Sequence, residues 1–146
     1  MRRGGRLESA TARRVLIVAY RTAATPALLE AVRDRAARAP VRFTLLVPRP
    51  YWDPDTEEAA LTLELALPLL DQAADDRVEA LIGDPDPLVA IQDALAREPF
   101  DEVIVSTLPA RVSHWLRRDL PSRVEQQLGL PVTVVTAKAT RHPIAQ

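Results

Sequence analysis

The chain has 146 residues, 47% of them hydrophobic, which is enough to bury the core of one domain. The absence of cysteine excludes a disulfide framework, a thiolate metal site and a cysteine nucleophile. No apolar run approaches the length of a membrane span, so we expect a cytoplasmic protein without a membrane partner.

The net charge of −1 conceals an uneven distribution of charge along the chain. Residues 1–49 carry 11 basic and 3 acidic side chains, residues 50–102 carry 2 and 15, and residues 103–146 carry 6 and 2. The acidic middle is typical of solvated helix faces, whereas basic ends that converged would form an anion-attracting surface. Because 18 of the 19 basic residues are arginine in a chain rich in alanine and proline, we attribute the arginine content to coding bias and predict no nucleic-acid partner.

The first elements can be placed from apolar runs and helix-start signals. Residues 1–13 have no apolar periodicity and are predicted to form a flexible N-terminal arm. Residues 15–19 are continuously apolar, which indicates a strand covered on both faces. Thr25 then provides an N-cap and Pro26 a first helical residue, so a helix is predicted that ends before Pro40.

A second strand at residues 41–47 is followed by a proline-bearing loop that contains Tyr51 and Trp52. A helix is predicted over residues 56–75, and Pro68 should kink or split it. One face of this helix consists of Leu61, Leu65 and Leu69.

The second half of the chain repeats the alternation of strands and helices. Asp86 and Pro87 repeat the cap-then-proline signal, and Gly129 occupies a helix C-cap position. The remaining predicted elements are strands at 77–82, 102–105 and 131–135, helices at 87–98 and 121–128, a single turn at 113–117, and a flexible tail at 138–146.

Five apolar strands that alternate with helices predict an α/β fold over residues 14–137. Right-handed crossovers then produce a doubly wound, three-layer sandwich with helices on both faces. For its five-stranded parallel sheet we predict the order 3-2-1-4-5. In such sheets a ligand binds at the carboxyl ends of the strands, where the order reverses. The loops at 19–24 and 106–119 should meet at this point.

Four segments resemble the universal stress protein family and together span residues 14–137. They read VLIVAYRTAATPALLEAV, VRFTLLVP, LIGDPDPLVAIQDALAREPFDEVIV and LPSRVEQQLGLPVTVV. The third is the most specific, because a strand that ends in Gly-Asp-Pro, a helix containing Ile91 and an acidic residue before the next strand recur in that family. The resemblance implies a homodimer that pairs through the fifth strands, from Pro131 to Val135, and many members bind ATP at the point where the strand order reverses.

The ATP-binding members carry glycine at the end of the fourth strand, again shortly after it, and in a Gly-Ser or Gly-Thr pair further along the loop. The matching positions here are Ser106, Pro109 and Asp119, and Tyr20 stands where those members have an aspartate after the first strand. Glycine exposes backbone N–H groups to an anion, whereas Pro109 has no N–H and Asp119 would repel a phosphate. The resemblance therefore implies a divergent member with a degraded ATP motif.

Side chains at the same point can still bind an anion, because arginine pairs with phosphate or carboxylate in a bidentate fashion. The candidate ligand-binding residues come from the ends of the first two strands and from the loop after the fourth: Ala19, Tyr20, Arg21, Val47, Ser106, Thr107, Pro109, Arg111, Arg117, Arg118 and Asp119. The alternative is that Arg117 and Arg118 are solvated helix-end charges and that Arg111 pairs with an acidic neighbour.

The sequence contains no recognisable catalytic or metal-binding constellation. His114 has no acid or nucleophile near it in sequence, so we expect a structural or surface role. Trp115 is expected at the sheet edge or in a dimer contact, and Tyr51 and Trp52 either cover an adenine or cap the core. Asp86 is explained as a helix cap rather than a metal ligand.

These observations predict a non-enzymatic, dimeric module of universal stress protein type that requires no cofactor and acts in stress response by binding a ligand or partner. ATP or another phosphate-bearing compound is the candidate ligand. One alternative is a protein-interaction module whose pocket is empty and whose acidic face or dimer surface recruits another protein. The other is a member of the family that binds and hydrolyses ATP.

Overall fold

The structure, a computed structural model, describes residues 12–109 and 113–137. The elements in chain order are β1 (Arg13–Val18), α1 (Pro26–Arg38), β2 (Val41–Pro48), α2 (Glu57–Ala74), β3 (Glu79–Gly83), α3 (Pro87–Arg97), β4 (Glu102–Thr107), α4 (His114–Arg117), α5 (Leu120–Leu128) and β5 (Val132–Thr136). Most of the predicted arm and the whole predicted tail lie outside the described residues.

The five strands form one parallel sheet in the order β3-β2-β1-β4-β5. The central strand is β1, in which Val15 lies between Phe43 of β2 and Glu102 of β4. The predicted fold class and strand order are therefore confirmed. The order reverses between β1 and β4, so the loops that follow these two strands diverge to opposite faces of the sheet.

Two helical layers cover the sheet because successive residues of a strand face opposite sides. On one side Val15 and Ile17 of β1 pack with buried residues of α1 and α2. On the other side Leu16 and Val18 pack with buried residues of α3 and α5. These two apolar clusters make the domain a three-layer sandwich, as predicted.

The predicted helix ends are confirmed by their capping contacts. The hydroxyl of Thr25 accepts a hydrogen bond from the N–H of Leu28 at 3.4 Å, and a carboxylate oxygen of Asp86 accepts one from the N–H of Leu88 at 2.9 Å. Gly129 follows α5 with a φ of 72°, the left-handed conformation that glycine adopts without steric cost.

Of the kink or split expected at Pro68, the split does not occur, because α2 continues through Pro68 as one helix of 18 residues. The missing N–H of Pro68 leaves the carbonyl of Glu64 without its helical partner, and both residues lie on the exposed side of the helix, where water can bind that carbonyl. An exposed position therefore tolerates a proline that a buried one would not.

The three leucines predicted to share a face of α2 do so, but that face points to solvent. Leu61, Leu65 and Leu69, called the leucine stripe below, are 53%, 65% and 41% exposed. The opposite face lies against the sheet and α1, and its fully or nearly buried residues are Ala59, Ala66, Leu70, Ala73 and Ala74. Four alanines allow the helix backbone to approach the sheet closely, which leaves the larger leucines outside.

Charged pairs hold the amino end of the sheet. Arg35 of α1, which is 8% exposed, donates two hydrogen bonds to the carboxylate of Glu102 at 3.2 and 3.0 Å. Arg14 forms an ion pair with Glu98, and its backbone N–H donates to the side chain of Asp101 at 2.8 Å. These contacts tie β1, α1 and the start of β4 together at the end of the sheet opposite the loops described next.

Candidate functional site

A cleft of about 460 Å³ opens at the carboxyl ends of β1 and β4, where the strand order reverses. This is the position at which parallel α/β sheets bind ligands. Its lining comes from the loops after β1, β2 and β3, from the end of β4 and from the start of α4: residues 20–22, 48–52, 85, 106–108 and 113–115.

Four buried residues of the lining carry hydroxyl groups, and three of them, at the ends of β1 and β4, are called the floor of the cleft: Thr22, Ser106 and Thr107. The hydroxyls of Thr22 and Ser106 lie 2.6 Å apart and hydrogen-bond to each other, with both residues almost fully buried. Thr107 is also buried, and its hydroxyl has no hydrogen-bond partner in the part of the chain that the structure describes. An unpaired buried hydroxyl is destabilising by roughly 1–3 kcal/mol, so Thr107 is a polar group that the described residues leave unsatisfied at this end of β4.

One wall of the cleft is aromatic. The rings of Tyr51 and Trp52 meet edge to face, with their centroids 5.0 Å apart and an interplanar angle of 83°. Both side chains are largely exposed, at 79% and 52%. Aromatic rings exposed beside a cleft can pack against a flat ligand without rearrangement of the core.

Glu58 of α2 connects this wall to the end of β1. Its two carboxylate oxygens accept hydrogen bonds from the indole N–H of Trp52 at 2.8 Å and from the hydroxyl of Tyr20 at 3.0 Å. Burial raises the pKa of the Tyr20 hydroxyl above its ordinary value, and the hydrogen bond and negative charge of Glu58 raise it further. Tyr20 is therefore a neutral hydrogen-bond donor at physiological pH, and it holds the loop that carries Trp52 beside β1.

The loop between β2 and α2 is anchored by Asp53, which is 7% exposed. Its two carboxylate oxygens accept hydrogen bonds from the N–H groups of Glu57, Glu58 and Ala59, at 2.8, 3.0 and 3.2 Å. Asp53 thus caps α2 from four residues before its first turn, while Thr56 makes no side-chain cap. The N–H of Asp53 also donates to the carbonyl of Pro50 at 3.0 Å, so Asp53 links the segment that carries Tyr51 and Trp52 to the start of α2.

We expect Asp53→Ala to lower the free energy of unfolding by about 2 kcal/mol, because three helix N–H groups lose their acceptor. Urea denaturation measures the loss. Asp55→Ala is the matched control, because it removes the same charge from an exposed residue two positions away that makes no capping contact. Equal stability of the two variants would contradict the capping role of Asp53.

The structure brings four of the predicted ligand-binding residues together in the cleft lining: Tyr20, Arg21, Ser106 and Thr107. Ser106 and Thr107 belong to β4, which runs two residues beyond its predicted end. Arg21 is exposed at the rim, with its guanidinium 5.7 Å from the centre of the Tyr20 ring.

The other predicted residues lie outside the lining. Ala19 and Val47 are buried at the ends of their strands, and Pro109 is half-buried beyond β4. Arg111 lies outside the described residues. Three exposed residues at the end of α4 and the start of α5 do not contribute to the lining: Arg117, Arg118 and Asp119.

Several residues of the lining were not predicted as ligand-binding from the sequence, among them Thr22, Arg49, Pro85 and Ser113. Thr22 lies within the loop at 19–24 that was expected here, but nothing in its spacing marks it as buried. Trp115, expected at the sheet edge or in a dimer contact, lines the cleft instead. It belongs to α4, which Ser113 begins by accepting a hydrogen bond from the N–H of Leu116 at 3.1 Å.

The cleft lining combines several kinds of side chain. Its described residues include hydroxyls, aromatic rings, the cations Arg21 and Arg49, and the exposed His114, but no carboxylate. Within residues 12–109 and 113–137 no group of three histidine or acidic side chains is placed to hold a metal ion. The same ranges contain no helix of the length and apolar character needed to span a membrane.

Comparison with known proteins identifies the fold. Neither a protein-family model nor a curated protein matches the sequence. Among solved structures, a universal stress protein from Archaeoglobus fulgidus is similar, with 16% sequence identity over 84% of this chain and 93% of that chain, and a TM-score of 0.53. The chain has the universal stress protein fold. At this level of identity the similarity concerns the fold, and the function has to be argued from the cleft.

Proposed function

We propose that the protein is a non-enzymatic binding module with the universal stress protein fold, and that its cleft binds a flat aromatic molecule with an anionic group, such as a nucleotide. The observation that carries the proposal is the cleft where the strand order reverses, with an aromatic wall, a floor of buried hydroxyls and arginine at the rim. The wall suits a ring, the hydroxyls suit its polar edge, and Arg21 suits the anionic group.

A ligand that ends in a monophosphate fits this chemistry better than a triphosphate. The loop that follows β4 passes through Pro109, which has no N–H, and the cleft lining of the described residues holds only two arginines. Asp119 has a φ of 59°, the left-handed conformation that favours glycine, which supports the match between this position and a glycine of the ATP-binding members. An aspartate at this position carries a carboxylate in place of the bare backbone that glycine exposes to a phosphate.

The absence of a carboxylate from the described lining supports a binding role over hydrolysis, because no general base other than the exposed His114 faces the cleft. We further propose that the protein acts in the cytoplasm as a homodimer paired through β5. Thr133 and Val134 of this edge strand are exposed, which supports pairing with a second copy.

Tryptophan fluorescence tests the ligand directly, because both tryptophans of the chain, Trp52 and Trp115, line the cleft. We expect AMP to change the fluorescence and to raise the melting temperature, since a ligand that prefers the folded state stabilises it. Adenosine should bind more weakly than AMP, and ATP should bind no more tightly. Unchanged fluorescence and melting temperature at millimolar AMP, ADP, ATP and adenosine would contradict the proposal.

Two arginine variants separate the cleft from the general charge of the surface. Arg21→Gln removes a cation from the cleft rim, so AMP affinity should fall about threefold to tenfold while adenosine affinity stays unchanged. Arg117→Gln removes the same charge from an exposed residue outside the lining, and it should leave both affinities unchanged. An equal loss of AMP affinity in both variants would mean that the anion binds outside the cleft.

A further inference from the structure

The exposed apolar side chains of the described residues are concentrated on one segment. Of the seven large hydrophobic residues that are strongly exposed, five lie between residues 51 and 69: Tyr51, Trp52, Leu61, Leu65 and Leu69. Single exposed leucines are common on soluble proteins, but a row of them along one helix is typical of an interaction surface.

The leucine stripe has the geometry of a helix-docking face. Its members are spaced four residues apart, so they lie one above the other along α2, and Gln72 continues the row at its C-terminal end. Three apolar anchors, four residues apart between residues 61 and 69, match the spacing at which an amphipathic partner helix presents its own apolar residues.

The charge that α2 and the loop before it carry is entirely acidic. Residues 50–76 contain eight acidic side chains and no lysine or arginine. Glu57 and Glu64 are exposed, lie beside Leu61 on the helix surface, and form no ion pair within the part of the chain that the structure describes. Asp75 and Asp76 are exposed at the end of α2. The neighbouring helix α1 does not neutralise this charge, because its exposed Glu30 and Asp34 balance Arg33 and Arg38.

This pattern selects among the molecules that could cover the stripe. A second copy would bring α2 against α2 and place acidic residues opposite acidic residues, which is unfavourable. An anionic membrane surface would repel the same carboxylates. A helix with leucine-like residues on one face and lysine or arginine beside them would bury the stripe and pair with its margins.

We propose that the leucine stripe and its acidic margins form a docking surface for a basic amphipathic helix of another protein. The stripe supplies the apolar contact. Glu57 and Glu64 favour a positively charged partner and orient it on the surface. The stripe lies outside the cleft lining, so the two proposals are tested independently of each other.

Synthetic peptides test the proposal with the full chain. The probe is an amphipathic leucine and lysine peptide with the 18-residue length of α2, and two comparison peptides replace lysine by glutamate or scramble the order. Titration calorimetry should detect binding of the amphipathic basic peptide alone, with an affinity that falls as salt is added. No binding of that peptide, or equal binding of all three, overturns the proposal.

Variants locate the binding. Leu65→Ser and Leu61→Ser should each weaken binding by about tenfold or more, and Glu64→Gln should weaken it about threefold. Glu125→Gln, at an exposed residue of α5 on the other side of the sheet, is the control and should leave the affinity unchanged. Melting curves should show that all four variants are folded, because each replaced side chain is exposed.

Two results would show a different occupant and overturn the proposal. If sedimentation showed a dimer for the unmodified protein and a monomer for Leu65→Ser, the stripe would be covered by a second copy of the chain. Flotation would reveal a membrane if the protein attached to vesicles of phosphatidylserine and phosphatidylcholine and Leu65→Ser released it.

Discussion

Leu70→Ala is expected to lower the free energy of unfolding by about 3–4 kcal/mol, with a fall in melting temperature of about 10 °C. Leu70 is completely buried between α2 and the sheet, so the substitution removes apolar contacts and leaves a cavity. Leu65→Ala, five residues earlier on the same helix, should change stability by less than about 0.5 kcal/mol, because 65% of Leu65 is exposed. Chemical denaturation of the two variants measures both values.

The pair is well matched, since each variant makes the same change of side chain within one helix and so has the same effect on helix propensity. The difference between them therefore reports burial alone. A loss of several kcal/mol in Leu65→Ala would mean that the leucine stripe is covered by another part of the molecule.

Arg35→Met is expected to destabilise the domain by about 3 kcal/mol, because it leaves the largely buried carboxylate of Glu102 without its bidentate partner. Glu102→Leu should have a loss of similar size, since it leaves the guanidinium of Arg35 buried and unpaired. Arg13 does not replace Arg35, because its Nε atom is 3.8 Å from Glu102 and its side chain is 52% exposed.

The double variant Arg35→Met with Glu102→Leu should recover most of the lost stability and lie within about 1 kcal/mol of the unmodified protein, because neither charge is then left alone. Urea denaturation of the unmodified protein, the two single variants and the double variant measures the coupling free energy between Arg35 and Glu102. Additive losses in the double variant would show that Arg35 and Glu102 act independently and that the observed contact has little energetic weight.

The sheet and the helix ends were predictable because their signals are local. Thr25 and Asp86 stand immediately before proline and an apolar period, and each caps its helix as the pattern requires. The strand order followed from the alternation of strands and helices together with the resemblance to universal stress proteins. The orientation of α2 could not be read from its periodicity, because its alanine face and its leucine face both repeat with the helical period. The alanine face is the buried one because its small side chains let α2 lie close to the sheet. How close the helix lies is decided by tertiary packing and not by the sequence of α2 alone.

The candidate site was predicted in position and only partly in composition. Tyr20, Arg21, Ser106 and Thr107 could be named because they directly follow or end the two strands that flank the reversal of strand order. Thr22 became part of the site only because the chain turns back after β1, with the N–H of Ala23 bonded to the carbonyl of Tyr20 at 3.3 Å. The capping role of Asp53 was hidden because the loop before α2 folds its carboxylate back over N–H groups up to six residues ahead in the chain.

Glu58 belongs to two surfaces at once, and this has a thermodynamic consequence. Its carboxylate binds Tyr20 and Trp52 of the cleft wall, and its position on α2 places it one turn before Leu61 of the leucine stripe. A cleft ligand that turned Trp52 away from Glu58 would remove one hydrogen bond from that carboxylate. The carboxylate would then be available to a basic partner at the end of the stripe. Reciprocity then requires that the partner raise the affinity for the ligand by the same factor, so one carboxylate would make the two binding events allosterically coupled.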